Sequence, residues 1–97
     1  MTAGDNVPSI ELLNSAHQFP GPYVFKAIGK QDNAFVARVI AAIREELELT
    51  VDPAHELRTS AKGNHAAVTV TVRVQSAEQV RAVYYRILKL PGLEMLF

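Results

Sequence analysis

Cysteine is absent from the 97 residues. Disulfides, thiolate nucleophiles and cysteine-based metal sites are therefore excluded. No apolar run approaches the roughly 20 residues needed to span a bilayer. Met1-Thr2-Ala3-Gly4-Asp5-Asn6 has neither the basic start nor the apolar stretch of a signal peptide, so a cytoplasmic protein is expected. Nor is there an excess of charge: ten Lys and Arg balance ten Asp and Glu. That balance argues against a general nucleic-acid or anionic-membrane binder, although a local patch is compatible with it. Catalytic signatures are missing too. The chain has no GxSxG, P-loop or GxGxxG motif, and its histidines, His17, His55 and His65, form no HxH or HExxH spacing. Ser60 and Ser76 have no His–carboxylate partners in the pattern. Glu45, Glu46 and Glu48 splay around a helix and do not converge. We expect no enzymatic activity, no metal and no cofactor.

What the chain does have is one tight-turn signal followed by strict alternation. Val68, Val70, Val72 and Val74 share one face of a strand, and Thr69, Thr71 and Arg73 the other. Before them, Lys62-Gly63-Asn64-His65 reads as a hairpin turn, with Gly63 supplying a positive φ. A two-residue Gly63-Asn64 loop pairs Leu57 with Val70 and Thr59 with Val68. Moving the loop to Lys62-Gly63 changes the pairs and keeps the faces. Either way Leu57 joins the valines.

The remaining elements follow from periodicity. Residues 1–8 are small or polar and are expected to fray. Ser9 can cap a short helix through Ile10–Leu13, which Phe19-Pro20-Gly21-Pro22 must terminate. Tyr23–Ile28 is a strand. Asp32 or Asn33 can cap an amphipathic helix whose apolar face carries Phe35, Val36, Val39, Ile40, Ile43 and Leu47. Ser76-Ala77-Glu78-Gln79 is a capping box opening a second such helix, with Val80, Val83, Tyr84, Ile87 and Leu88 inward, stopped by Pro91-Gly92. Leu93–Phe97 reads as a last strand.

The order strand, helix, strand, strand, helix, strand specifies an α+β ferredoxin-like sandwich. Its four antiparallel strands take the order 4-1-3-2, with both helices on one face. A chain this short buries roughly 60–65% of its unfolded surface, enough for one modest core. We divide it into an N-terminal segment, 1–18, and a ferredoxin-like domain, 19–97.

Two helices leave one sheet face bare. Val24, Ile28, Ala67 and Leu96 are placed there, among Thr69, Thr71, Lys26, Glu56, Arg58, Arg73 and Glu94. Its occupant could be a second copy in a homodimer, another protein, or the N-terminal segment with Ile10, Leu12 and Leu13. RNA is disfavoured, because RRM modules stack bases on aromatic residues of the central strands. Here the third strand offers none outside, and Tyr23 and Phe25 point inward.

Two loops are candidate sites. Gly29-Lys30-Gln31-Asp32-Asn33 offers helix-start N–H groups and the Lys30 charge to an anion or small carboxylate ligand. The hairpin tip Lys62, Gly63, Asn64 and His65, with Val24 and Ile28 on the bare face, is selected for a protein partner.

Several segments together carry a family likeness: Phe25-Lys26-Ala27-Ile28-Gly29-Lys30, Ser60-Ala61-Lys62-Gly63-Asn64-His65, the Val-Thr-Val-Thr-Val run, and Leu90-Pro91-Gly92-Leu93-Glu94-Met95. Over roughly Phe19 to Phe97 the chain resembles the bacterial YbeD-like proteins. The resemblance implies a small ferredoxin-like protein, similar to the ACT regulatory domain, of unknown function with a suggested link to lipoate regulation. ACT-like ligands would sit at the first strand–helix loop, so the resemblance selects Gly29, Lys30, Asp32 and Asn33 as ligand-binding. Ala61 stands where the family usually has a second Ser, and His65 where Tyr is common. No catalytic residue is implied. The function expected is a non-enzymatic regulatory or small-ligand-binding module, with a protein-interaction adaptor as the alternative.

Overall fold

The computed structural model describes residues 7–32 and 34–97. Its elements run α1 (Ile10–Ala16), β1 (Gly21–Lys30), α2 (Phe35–Glu46), β2 (Ala54–Thr59), β3 (His65–Val74), α3 (Ala77–Leu88) and β4 (Leu93–Leu96). The four strands form one antiparallel sheet in the order β2-β3-β1-β4, the ferredoxin-like arrangement expected from the pattern.

The core lies between the sheet and the helices. Tyr23, Phe25 and Ala27 of β1 and Val68, Val70 and Val74 of β3 meet Phe35, Val39 and Ile43 of α2 and Val80, Val83 and Ile87 of α3, all buried. The helix starts follow their caps. Ser76 Oγ accepts from Gln79 N at 3.1 Å, and the Gln79 side chain accepts from Gln75 N at 2.8 Å. Asp32 Oδ1 accepts from Ala34 N at 2.8 Å and Phe35 N at 2.7 Å, so Asp32 opens α2. Asn33, the other candidate cap, lies outside the described residues. Ser9 caps α1 through Leu12 N.

Four details depart from the sequence reading. The hairpin loop is longer. Leu57 pairs with Val68 and Thr59 with Ala66, so residues 61–64 form the connection. The Ser60 hydroxyl is the cause: it accepts from Asn64 N at 3.1 Å and His65 N at 3.2 Å, while Gly63 N donates to Ser60 O at 2.9 Å. Gly63 does take a positive φ, 75°. This is the register of the Lys62-Gly63 alternative, two residues from that of Gly63-Asn64, and every side chain keeps its face.

Leu57 shares the valine face but is 51% exposed, because the helices do not reach β2, whose six residues are all exposed. Leu96 faces inward, not onto the bare face. A bulge between Ile28 and Gly29 in the β1–β4 ladder breaks strict alternation, so Leu93 and Leu96 pack on the core while Glu94 and Met95 stay outside. Finally, α1 does not cover the bare face. It packs against α3, with Val7 and Leu13 in the core and Arg81 Nη1 donating to Pro8 O.

Candidate functional site

The ladder registers lay out the bare face row by row. Glu56, Thr69 and Lys26 form one row, which Phe97 completes by exchanging hydrogen bonds with Lys26. Arg58, Ala67, Ile28 and Met95 form the next. Ala54, Thr71 and Val24 lie on one side of these, and Lys30 with His65 on the other. Val24, Met95 and Phe97 are each about half exposed. The Lys26 ammonium sits 5.8 Å from the centre of the Phe97 ring, a cation–π contact.

Charge is divided unevenly between the two sides. On the helices Arg38 pairs with Asp32 at 3.6 Å, Arg44 with Asp52 at 2.5 Å, and Arg86 with Glu45 and Glu46 at 3.1 Å. On the sheet face His65 Nε2 contacts Glu94 Oε1 at 2.9 Å. Among the described residues no ion pair engages Lys26, Lys30, Arg58 or Arg73.

The two candidate loops meet at one end of the sheet. Lys30 N donates to Gly92 O at 3.0 Å, and Gln31 N to Asn64 O at 2.9 Å. Gly29 is buried here, and a side chain is excluded because a Cβ would stand 2.5 Å from Phe35 Cζ and 2.6 Å from Gly92 O. Arg38 adds a 3.4 Å hydrogen bond to Pro91 O. Lys30 and Lys62 are exposed, as are Asn64 and His65. A shallow hollow of about 230 Å³ lies beside the hairpin, lined by Ile28, Arg58, Ser60, His65 and Ala67 among others. The N–H groups of Ala34 and Phe35 are not free for an anion, since Asp32 takes both. Those two bonds, with Arg38 nearby, hold the Asp32 carboxyl below its ordinary pKa.

Comparison with known proteins adds the family. The model described as "Protein of unknown function (DUF493)" matches residues 14–97. The chain belongs to the DUF493 family. Curated relatives carry the name UPF0250 protein. The one from Bordetella parapertussis is 34% identical over 81% of this chain and 84% of its own. That from Shewanella sediminis is 29% identical over 79% and 85%, and that from Ralstonia nicotianae 28% over 87% and 87%. The YbeD-like resemblance read from the residues is thus borne out. This DUF493 match spans β1 to β4 and with them both candidate loops. It brings no activity.

Among the described residues no group of three or more His, Asp or Glu side chains is arranged to hold a metal, and no helix is long and apolar enough to cross a membrane. Sequence reasoning missed three surface contributors: Met95, Phe97 and the His65–Glu94 contact. All three depend on the bulge or on the strand order, which brings β4 alongside β1. The aromatic exposed on this face lies on the chain's last residue, beside edge strand β4, and not on central β1 or β3.

Proposed function

We propose that this DUF493 protein is a non-enzymatic regulatory module that binds an acidic protein segment across its bare sheet face. The observation carrying this reading is the set of unpaired cations. Among the described residues Lys26, Arg58 and Arg73, against one unpaired carboxylate, Glu56, stand around half-exposed Val24, Met95 and Phe97, whereas on the helix side Arg38, Arg44 and Arg86 have carboxylate partners and Arg81 bonds to Pro8 O and the Tyr85 hydroxyl. An apolar centre edged by unsatisfied positive charge suits a partner that brings aliphatic side chains and carboxylates together. A nucleic acid fits less well, because β1 and β3 present no outward aromatic on which a base could stack.

The test is capture from an extract of the native cell, with bound proteins identified by mass spectrometry. A partner held by the wild type should be lost with Val24→Asp and with the pair Lys26→Glu and Arg73→Glu, and kept with the helix-side Arg44→Glu. Added salt should weaken it. Retention by the face variants overturns the reading.

A second reading, a small carboxylate ligand at the hairpin end, rests on the hollow beside Ile28 and Ser60, where Arg58 supplies a positive charge. Gly29, Lys30, Asp32, Lys62, Gly63, Asn64 and His65 are nearby through the loop tethers. Thermal-shift screening distinguishes the two. A ligand at 100 times its dissociation constant stabilises by about 2.7 kcal/mol, and Arg58→Ala should abolish that shift.

A further inference from the structure

We propose that this protein pairs with a second copy of itself through the outer edge of β2, strand against antiparallel strand, on a two-fold axis at Leu57.

The phase of the free backbone groups comes from the ladder. Lys26 exchanges both main-chain hydrogen bonds with Phe97, at 2.8 and 3.3 Å, so its N–H and C=O point away from β3. Lys26 and Thr69 are therefore a non-bonded pair, and Thr69 spends its groups on Glu56. Along β2 the alternation continues: Ala54, Glu56 and Arg58 bond to β3, while His55, Leu57 and Thr59 hold their N–H and C=O toward solvent. The bond from Ser60 N to His65 O, 2.9 Å, keeps the same phase.

Sheet edges are ordinarily blunted against such pairing. The β4 edge is short, four residues, and its ladder to β1 is bulged. The β2 edge has neither a bulge nor an internal proline, and no helix overhangs it.

The edge is complementary to itself. When Leu57 faces Leu57 of a second copy, Glu56 faces the copy's Arg58, and Arg58 the copy's Glu56. Each is a non-bonded pair of the new ladder, where side chains approach most closely and opposite charges stabilise. Neither residue has an ion-pair partner among the described residues. On the helix side the exposed Leu57 is covered by its own copy, and His55 faces Thr59. A shift of two residues moves the axis to Glu56 or Arg58 and sets like charge against like, and a shift of four, centred on His55 or Thr59, sets Arg58 opposite Asp52, which already pairs with Arg44, or opposite Ser60. The charge pairs thus favour one register. This pairing extends the bare face without covering it, and it engages Arg58 while leaving Lys26 and Arg73 for the acidic partner.

The experiment is sedimentation equilibrium of the full chain up to about 1 mM, with circular-dichroism melts of each variant. A dimer mass is expected. Glu56→Arg and Arg58→Glu, each of which sets like charges face to face twice, should each weaken association about tenfold or more. The double reversal should recover it, because the opposite charges have merely changed places. Leu57→Lys should leave a folded monomer. A wild-type monomer at the highest concentration, a dimer indifferent to Leu57→Lys and to both single reversals, or a double reversal as weak as the singles overturns the proposal.

Discussion

The hydroxyls of Tyr23 on β1 and Tyr84 on α3 lie 2.9 Å apart inside the core. Tyr84 also meets Phe25 edge-on, at 5.2 Å between ring centres and 71°. One polar contact thus joins sheet to helix within a cluster of aromatic rings. Tyr84→Phe deletes one hydroxyl and leaves the Tyr23 hydroxyl buried without its partner. The expected loss is about 1–2 kcal/mol, a fall in melting temperature of several degrees for a domain of this size, about 4–8 °C per kcal/mol.

Burial, and then the bond to Tyr23, push the Tyr84 phenol well above its ordinary pKa of 10.0. The neutral form is therefore favoured in the folded chain. Its contribution to stability is complete below the ordinary phenol value and declines as pH rises from there toward the folded value. Denaturant unfolding followed into the alkaline range should show a steeper loss in wild type than in Tyr84→Phe. Equal slopes would contradict the assignment.

Gly29→Ala should destabilise the hairpin end. The added methyl would stand 2.5 Å from the fully buried Phe35 ring and 2.6 Å from the Gly92 carbonyl. One neighbour is backbone and the other is packed in the core, so neither yields cheaply. Overpacking of this kind costs about 1–3 kcal/mol. Gly63→Ala meets no atom within 4 Å, yet φ of 75° strains it, so its cost comes from backbone conformation alone. Urea melts of both variants check the pair.

Asp32 gives an acid limb. Its carboxyl is held below the ordinary 3.8, first by the N–H groups of Ala34 and Phe35 and then by Arg38. A depressed folded pKa means that the contribution is complete above the ordinary value and fades as pH falls through the folded one. Asp32→Ala should lower stability at neutral pH and flatten the acid part of the stability profile. Asp32→Asn, which retains an accepting oxygen, should lose less at neutral pH and still flatten the profile.

Glu48 is the described non-glycine residue with positive φ, 54°, just past the end of α2. A side chain there is held in the left-handed region, which costs about 1–2 kcal/mol relative to the right-handed one. Glycine escapes that cost but has more freedom to lose on folding. Glu48→Gly should raise stability by about 0.5–1 kcal/mol, read from the thermal midpoint.

The alternation of Val68 to Val74 was enough to orient β3, because side chains of a strand have only two faces to choose from. Helix starts at Ser9, Asp32 and Ser76 were equally legible, since a capping side chain acts within three residues of its own position. What escaped depends on longer range. The choice between the two hairpin registers, and the length of the loop, hinged on the Ser60 hydroxyl, which bonds the Asn64 and His65 amides. Leu96 turned inward because of a bulge that no local pattern marks. Leu57 was assigned the right face, but its exposure reflects how far the helices extend over the sheet, a property of packing and not of β2 itself. For the candidate loops, their closeness to one another was invisible in the sequence, because it arises from the Lys30–Gly92 and Gln31–Asn64 bonds.

Both of those tethers run between main-chain atoms, Lys30 N to Gly92 O and Gln31 N to Asn64 O. No side chain at Lys30, Gln31 or Asn64 takes part in them, so these three positions can change their chemistry while the tip's location stays put, whereas Gly92, at φ 88°, is held to glycine. An imino acid at 30 or 31, which has no amide hydrogen to give, would cut the cord.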